Sequence, residues 1–295
     1  MFCSFNFKKS VAIFILAIAA SSVCASGPQD EAKNQVSNLL GSAINSRIAD
    51  KLQQADSNKN LAWGGLTHLN VSANDAGDAF KVSSNLAIVG YDREITKSII
   101  IGASVNTFNL VHANSFDFLD SDYRAHGVSL YGAYILNETF FLVADYSRID
   151  WKLNDNDGGY AKLGVNTYGL SLNAQKKIEK FNLRGRLGAN HSELMIHLVD
   201  RSAPSDETSW LYAEGYVADG QVSYDFTPST FGFVGVMYGT AFKQHTDTAM
   251  ARIGFETKLT KDMTLTGKYE RLAYDNVQVS GLKVDSYNVS ARFSF

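Results

Sequence analysis

The chain has 295 residues, 45% of them hydrophobic and 19% charged, with 3 prolines, 2 cysteines and 23 glycines. That composition excludes a disordered chain, a collagen-like repeat and a disulfide scaffold. The formal net charge of −3 argues against a nucleic-acid partner, and a single long apolar run is too few for a helical membrane bundle.

The first element is an export signal. Lys8-Lys9 ends a short positive region, Val11–Ala20 is apolar throughout, and Val23-Cys24-Ala25 offers small residues for cleavage after Ala25. The apolar run is too short to span a bilayer as a helix. Both cysteines, Cys3 and Cys24, fall inside residues 1–25, so the processed chain is expected to carry no disulfide, thiol catalyst or thiolate metal site.

Residues 26–60 form a linker and an amphipathic helix. Within Glu31–Gln54 the apolar residues Val36, Leu39, Leu40, Ala43, Ile44, Ile48 and Leu52 recur at helical spacing. Arg47, Asp50 and Gln53 lie on the opposite face. From Leu61 to the last residue the period is two. In Phe181–Ala189, Phe181, Leu183 and Leu187 alternate with Asn182, Arg184 and Arg186. The chain ends with Tyr287, Val289, Ala291, Phe293 and Phe295 set against Asn288, Ser290, Arg292 and Ser294.

Twelve such segments are expected, at 61–71, 79–91, 98–109, 122–136, 139–151, 160–176, 180–190, 209–224, 230–242, 248–259, 263–274 and 282–295. Most exceed the roughly 5–6 residues usual for soluble strands and reach the roughly 9–11 that a membrane-crossing strand needs. Links after even-numbered segments are short, as at Asn137-Glu138 and Lys261-Asp262. Links at Leu110–Ser121, Lys152–Gly159 and His191–Thr208 are longer and polar. An exported chain with long alternating strands and this loop asymmetry reads as an all-β, twelve-stranded antiparallel transmembrane barrel over 61–295, integral to the outer membrane of a Gram-negative bacterium.

The helix of about two dozen residues, the Trp63-Gly64-Gly65 strand and the terminal strand Ala291-Arg292-Phe293-Ser294-Phe295 together resemble the β-domain of autotransporters. The resemblance implies a translocator barrel whose N-terminal helix threads the pore. It also implies a terminal strand, with Tyr287, Val289, Phe293 and Phe295 outward, that is read by the outer-membrane assembly machinery. Only Ser26–Asp30 separate the signal from the helix, so the expectation is a barrel without a passenger domain.

No catalytic, cofactor-binding or metal-binding set emerges. None of His68, His112, His126, His191, His197 and His245 has Ser two residues on, and adjacent His191 and Ser192 would face opposite sides of a strand. Asp120-x-Asp122, Asp155-x-Asp157 and His245-x-Asp247 read as solvated loop residues. The charges on the expected lumen face say more: Arg184, Arg186, Asp219, Arg252, Glu256, Lys258, Lys268, Glu270 and Arg292. Enclosed in a narrow barrel they must be paired or hydrated. They form a cross-strand ladder, or they contact the pore helix through Arg47 and Asp50. The reading is thus a membrane-embedded translocator or surface-loop module, not an enzyme, monomeric, with lipid and the assembly machinery as partners. The alternative is a passive porin-like channel for small solutes.

Overall fold

The computed structural model describes residues 59–75, 78–113, 124–154, 160–200, 205–241, 246–275 and 283–295. The export signal, the segment Glu31–Gln54 with Arg47 and Asp50, and the motifs at Asp120, Asp155 and His245 lie outside the described residues. Within them the chain is all-β. The strands are β1 (Asn60–Asp75), β2 (Asp78–Thr96), β3 (Ile99–Ala113), β4 (Arg124–Ile135), β5 (Phe140–Asn154), β6 (Tyr160–Ile178), β7 (Phe181–Asp200), β8 (Ser205–Asp225), β9 (Thr230–Ala241), β10 (Thr246–Lys258), β11 (Met263–Asp275) and β12 (Lys283–Ser294).

Each strand pairs with its sequence neighbours, and β1 pairs with β12, so the twelve close into one antiparallel barrel. The seam runs from Leu61↔Ser294 to Ser72↔Lys283. At its end Asn60 and Phe295 exchange backbone hydrogen bonds of 3.2 and 3.0 Å. Closure leaves no unpaired edge, which hydrocarbon would not tolerate.

Local chemistry sets the short turns. Asn137 Oδ1 accepts from the backbone N–H groups of Thr139 and Phe140 at 2.8 and 2.9 Å. Thr227 Oγ1 accepts from Ser229 and Thr230, and Thr260 Oγ1 from Asp262 and Met263, in the same way. Glu179 adopts a left-handed φ of 53° in the tight β6–β7 turn, a conformation that costs a non-glycine residue about 1–2 kcal/mol.

Outward residues of the middle band are apolar and exposed, among them Leu66, Val89, Val105, Leu130, Leu170 and Leu187. Aromatic contacts bracket this band. Near the short turns Phe181 meets Tyr224 at 5.2 Å, and Phe293 stacks on Phe295 at 5.8 Å. Toward the long loops Tyr146 meets Tyr168 at 5.2 Å, and Tyr168 meets His191 at 6.2 Å. On β7, Phe181 and His191 are ten positions apart. At about 3.4 Å per residue and a tilt near 40°, that is about 26 Å, matching a membrane barrel's apolar band of about 25 Å.

One expectation needs correction. His191–Thr208 was expected to be a loop, yet β7 continues to Asp200 and β8 begins at Ser205. Past Ala189 the alternation persists with its polarity inverted. His191 and Glu193 face outward, while Leu194 and Ile196 are buried facing inward. A strand leaving the membrane trades lipid for water outside, so a polar outer face there marks continuation and not an end.

Candidate functional site: the lumen

Inward side chains divide the lower lumen, toward the short turns, into two walls. One is apolar. Leu61 and Trp63 of β1, Ile88 of β2, Ile100 of β3, Tyr131 and Ala133 of β4, and Phe141 and Val143 of β5 form one buried cluster. Trp63 Nε1–H donates to Tyr131 Oη at 2.9 Å. Its indole lies flat over Gly90, where a Cβ would come within 2.2 Å of the ring, so only glycine accommodates this packing.

The facing wall, on β7–β12, is charged. Arg252 grips Asp219 through both terminal nitrogens, Nη1 donating to Oδ2 at 3.1 Å and Nη2 to Oδ1. Arg186 Nη2 approaches the same carboxylate at 3.6 Å. Gly235 makes this possible, because a Cβ there would stand 2.6 Å from Arg252 Nε, in the path of the side chain. Arg292 pairs with Glu256, whose other oxygen accepts from Thr266 Oγ1 at 3.3 Å. Lys268 Nζ pairs with Glu270 at 2.8 Å, both side chains buried. Arg184 sits in the combined field of Glu256, Arg252 and Arg292.

Eight of the nine expected lumen charges thus gather on one wall. They are five cations (Arg184, Arg186, Arg252, Lys268, Arg292) and three carboxylates (Asp219, Glu256, Glu270). Lys258 ends β10 at the rim and is exposed. Opposite-charge pairs across neighbouring strands stiffen the wall, and enclosure makes each pair costly to break. Sequence reasoning missed three further carboxylates. Asp92 and Glu94 of β2 are buried inward. Asp145 of β5 lies within the field of Arg186 and caps Gly169, where a Cβ would fall 2.5 Å from its Oδ1. Position parity on β2 and β5 was the available signal.

Above these walls, toward the long loops, large apolar side chains enter the lumen among small hydroxyl residues such as Ser84, Thr248 and Ser286. Leu69, Leu86, Phe108, Leu194, Met250 and Leu272, drawn from six strands, are all buried there.

The terminal strand presents Tyr287, Val289, Phe293 and Phe295 outward, each about half exposed. His191 faces outward between Glu193 and Glu214 at 3.7 Å each, while buried Ser192 points inward to Thr167. The wall itself therefore separates that His–Ser pair. Among the described residues no group of three or more His, Cys, Asp or Glu could hold a metal ion.

No protein-family model matches the chain, and no curated protein does. Solved structures do. The translocator domain of the autotransporter NalP from Neisseria meningitidis aligns with a TM-score of 0.59 at 11% identity, over 94% of this chain and 100% of that one. The β-domain of the Bordetella autotransporter BrkA aligns with a TM-score of 0.60 at 13% identity, over 80% and 100%. An outer-membrane channel from Pseudomonas putida F1 aligns with a TM-score of 0.56 at 16% identity, over 82% and 97%. The chain is therefore a closed β-barrel with the fold of outer-membrane translocator and channel domains. Both translocator domains are covered over their whole length, so the described strands make up a full barrel of that fold.

Proposed function

We propose that the chain is an outer-membrane barrel of the translocator type, exported through residues 1–25, whose lumen is closed by its own segment Glu31–Gln54. The two-sided lumen carries this reading. An amphipathic helix offers each wall what it matches. The stripe from Val36 to Leu52 would lie against Trp63, Ile88, Ile100 and Phe141, and the face bearing Arg47 and Asp50 would turn to the charged pairs. A uniformly polar lumen would not reward such a stripe; this one has an apolar side.

Three further observations support an occupied lumen. Inward side chains such as Ile100, Phe141 and Glu270 are sealed from water, at 0%, 0% and 1% exposure. A twelve-stranded barrel is wide enough for about one helix, and two dozen residues at about 1.5 Å each span its apolar band. Finally, the Nε groups of Arg184, Arg186 and Arg252 are buried without a hydrogen-bond partner among the described residues, and a polar occupant or ordered water would satisfy them.

In this reading the protein is a membrane-embedded module and not an enzyme. It works as a monomer, and lipid and the assembly machinery that reads the Phe295 strand are its partners. The charged lining of the lumen supports a second reading, a passive porin-like channel for small solutes. Single-channel conductance separates the two. Deleting Glu31–Gln54 should raise conductance several-fold while the barrel stays folded and heat-modifiable on gels. Unchanged conductance in a folded deletion variant would place the segment elsewhere and favour the passive channel.

A further inference from the structure

The outer face of β2–β5 holds a groove of about 490 Å³ at the upper edge of the apolar band. Two adjacent rungs of the sheet build it. One sets Val89, Val105, Val128 and Arg148 side by side on successive strands and continues to Asn166 and Glu193. The other, one step nearer the long loops, sets Ala87, Thr107, His126 and Asp150 side by side and continues to Gly164. Because strands in a barrel are tilted, a rung climbs as it passes around the wall, and these two cross the membrane boundary. On β2–β4 the floor is apolar, with Val89, Val105 and Val128 exposed by 63%, 59% and 48%. From β5 onward the same rungs are polar. The groove therefore leads from hydrocarbon to water along its own length.

At the polar end Arg148 and Asp150 pair at 3.0 Å while both stay about half exposed. Gly164 gives the pair room, since a Cβ there would stand 3.1 Å from Asp150 Oδ1. Asp150 accepts from Nε and Nη2 of the guanidinium, so further N–H donors remain for a phosphate oxygen, and the carboxylate keeps lone pairs for an ammonium. An exposed pair of this kind contributes little to stability, so it yields readily to a ligand that offers both opposite charges. The groove thus ends on one cation and one anion held side by side, next to an apolar floor.

We propose that this groove is a binding site for a diacyl phospholipid with a zwitterionic headgroup of the phosphoethanolamine kind. An acyl chain lies along Val89, Val105 and Val128. The phosphodiester accepts from Arg148 and the primary ammonium donates to Asp150, both through charge-assisted hydrogen bonds. A headgroup of net negative charge would bring its phosphate beside Asp150 with no ammonium to offset the repulsion. A soluble headgroup would forgo the apolar floor, which supplies most of the binding. The site rests on the outer-membrane reading above, which sets the three valines in lipid and the ion pair at its surface.

The test uses the full chain folded in detergent, with phosphatidylethanolamine and phosphatidylglycerol of identical acyl chains as probes and retention read by native mass spectrometry. Phosphatidylethanolamine should be retained several-fold more tightly than phosphatidylglycerol, and glycerophosphoethanolamine, the same headgroup without chains, should not displace it. D150N should lose the preference between the two lipids. V105W, which fills the groove with an apolar ring, should weaken phosphatidylethanolamine several-fold. Heat-modifiable mobility on the same samples reports folding. Equal retention of the two lipids by the parent chain, or a folded D150N variant that keeps the preference, overturns the site. Retention unchanged in folded V105W also overturns it, because the lipid would then be annular only. The conductance response to deleting Glu31–Gln54 is a separate readout, so failure of the lipid site and failure of the translocator reading are distinguishable.

Discussion

The two halves of the barrel wall obey opposite rules along one continuous strand. On β7, from Phe181 to Ala189, lipid lies outside and charge inside: Leu183 and Leu187 are exposed while Arg184 and Arg186 face the lumen. From His191 onward, water lies outside and an apolar core inside: Glu193 faces out while Leu194 and Ile196 are buried. β5 and β6 turn over in the same way. Tyr146, Arg148 and Asp150 succeed Leu142 and Ala144 on the outer face of β5, and on the inner face of β6 Leu163 and Val165 replace Asn173 and Gln175. A β-strand cares only that one neighbour environment is apolar; which side that is depends on whether the segment stands in lipid or above it.

This contrast fixes where a single change should hurt most. In the lower half the inward charges are enclosed and held by their ion pairs. Replacing Asp219 with Ala removes the carboxylate shared by Arg186 and Arg252 and leaves two guanidinium groups enclosed. Breaking a buried pair from one side costs about 3–5 kcal/mol. The urea midpoint for unfolding from vesicles should fall accordingly. A midpoint within error of the parent would mean that water reaches this wall freely.

The outer face allows a sharper comparison with one substituent at two heights. Leu187→Lys places an ammonium against hydrocarbon and should cost about 2–4 kcal/mol if that site lies near the midplane. Glu193→Lys, six positions along the same face of β7, keeps a charge above the apolar band and gives up only long contacts with His191 and Asn166, so it should cost no more than about 1 kcal/mol. Paired folding titrations in bilayers of one thickness would show it. Equal costs would erase the boundary drawn near Ala189.

The same inversion explains what the sequence could and could not reveal. The inward position of Arg184, Arg252, Glu256, Glu270 and Arg292 follows from period two, because lipid demands an apolar residue at every second position, while the number and antiparallel order of the strands follow from segment length and the alternation of short and long links. The upper reaches of β7 and β8 were lost because the apolar set changes sides at His191-Ser192. The apolar wall was hidden for another reason. On β1–β3 its residues alternate with outward residues that are also apolar, as in Ile99-Ile100-Ile101, so both faces look alike and the periodic signal fades. Which inward charges share a partner depends on barrel closure and strand shear. The reach of Arg252 over Gly235 to Asp219 could therefore be read only from the assembled wall.

The finest comparison sets the two lumen walls against each other through a neutral contact. The indole N–H of Trp63 meets the Tyr131 hydroxyl at 2.9 Å, and both rings are almost wholly buried. Tyr131→Phe keeps the ring and its packing but leaves the indole donor without that acceptor. A buried donor that loses its partner costs about 1–3 kcal/mol, so the change should register below Asp219→Ala, where charges are stranded. Trp63→Phe would remove the donor itself and, with it, much of the ring that covers Gly90. In the double variant the orphaned donor is gone, so the cost should fall short of the sum of the two single changes. That shortfall is the coupling of the pair, and a double-mutant cycle on unfolding midpoints measures it. Strict additivity would show that the hydroxyl and the indole do not depend on each other. The apolar wall would then be held by packing alone, whereas the charged wall is held by its pairs.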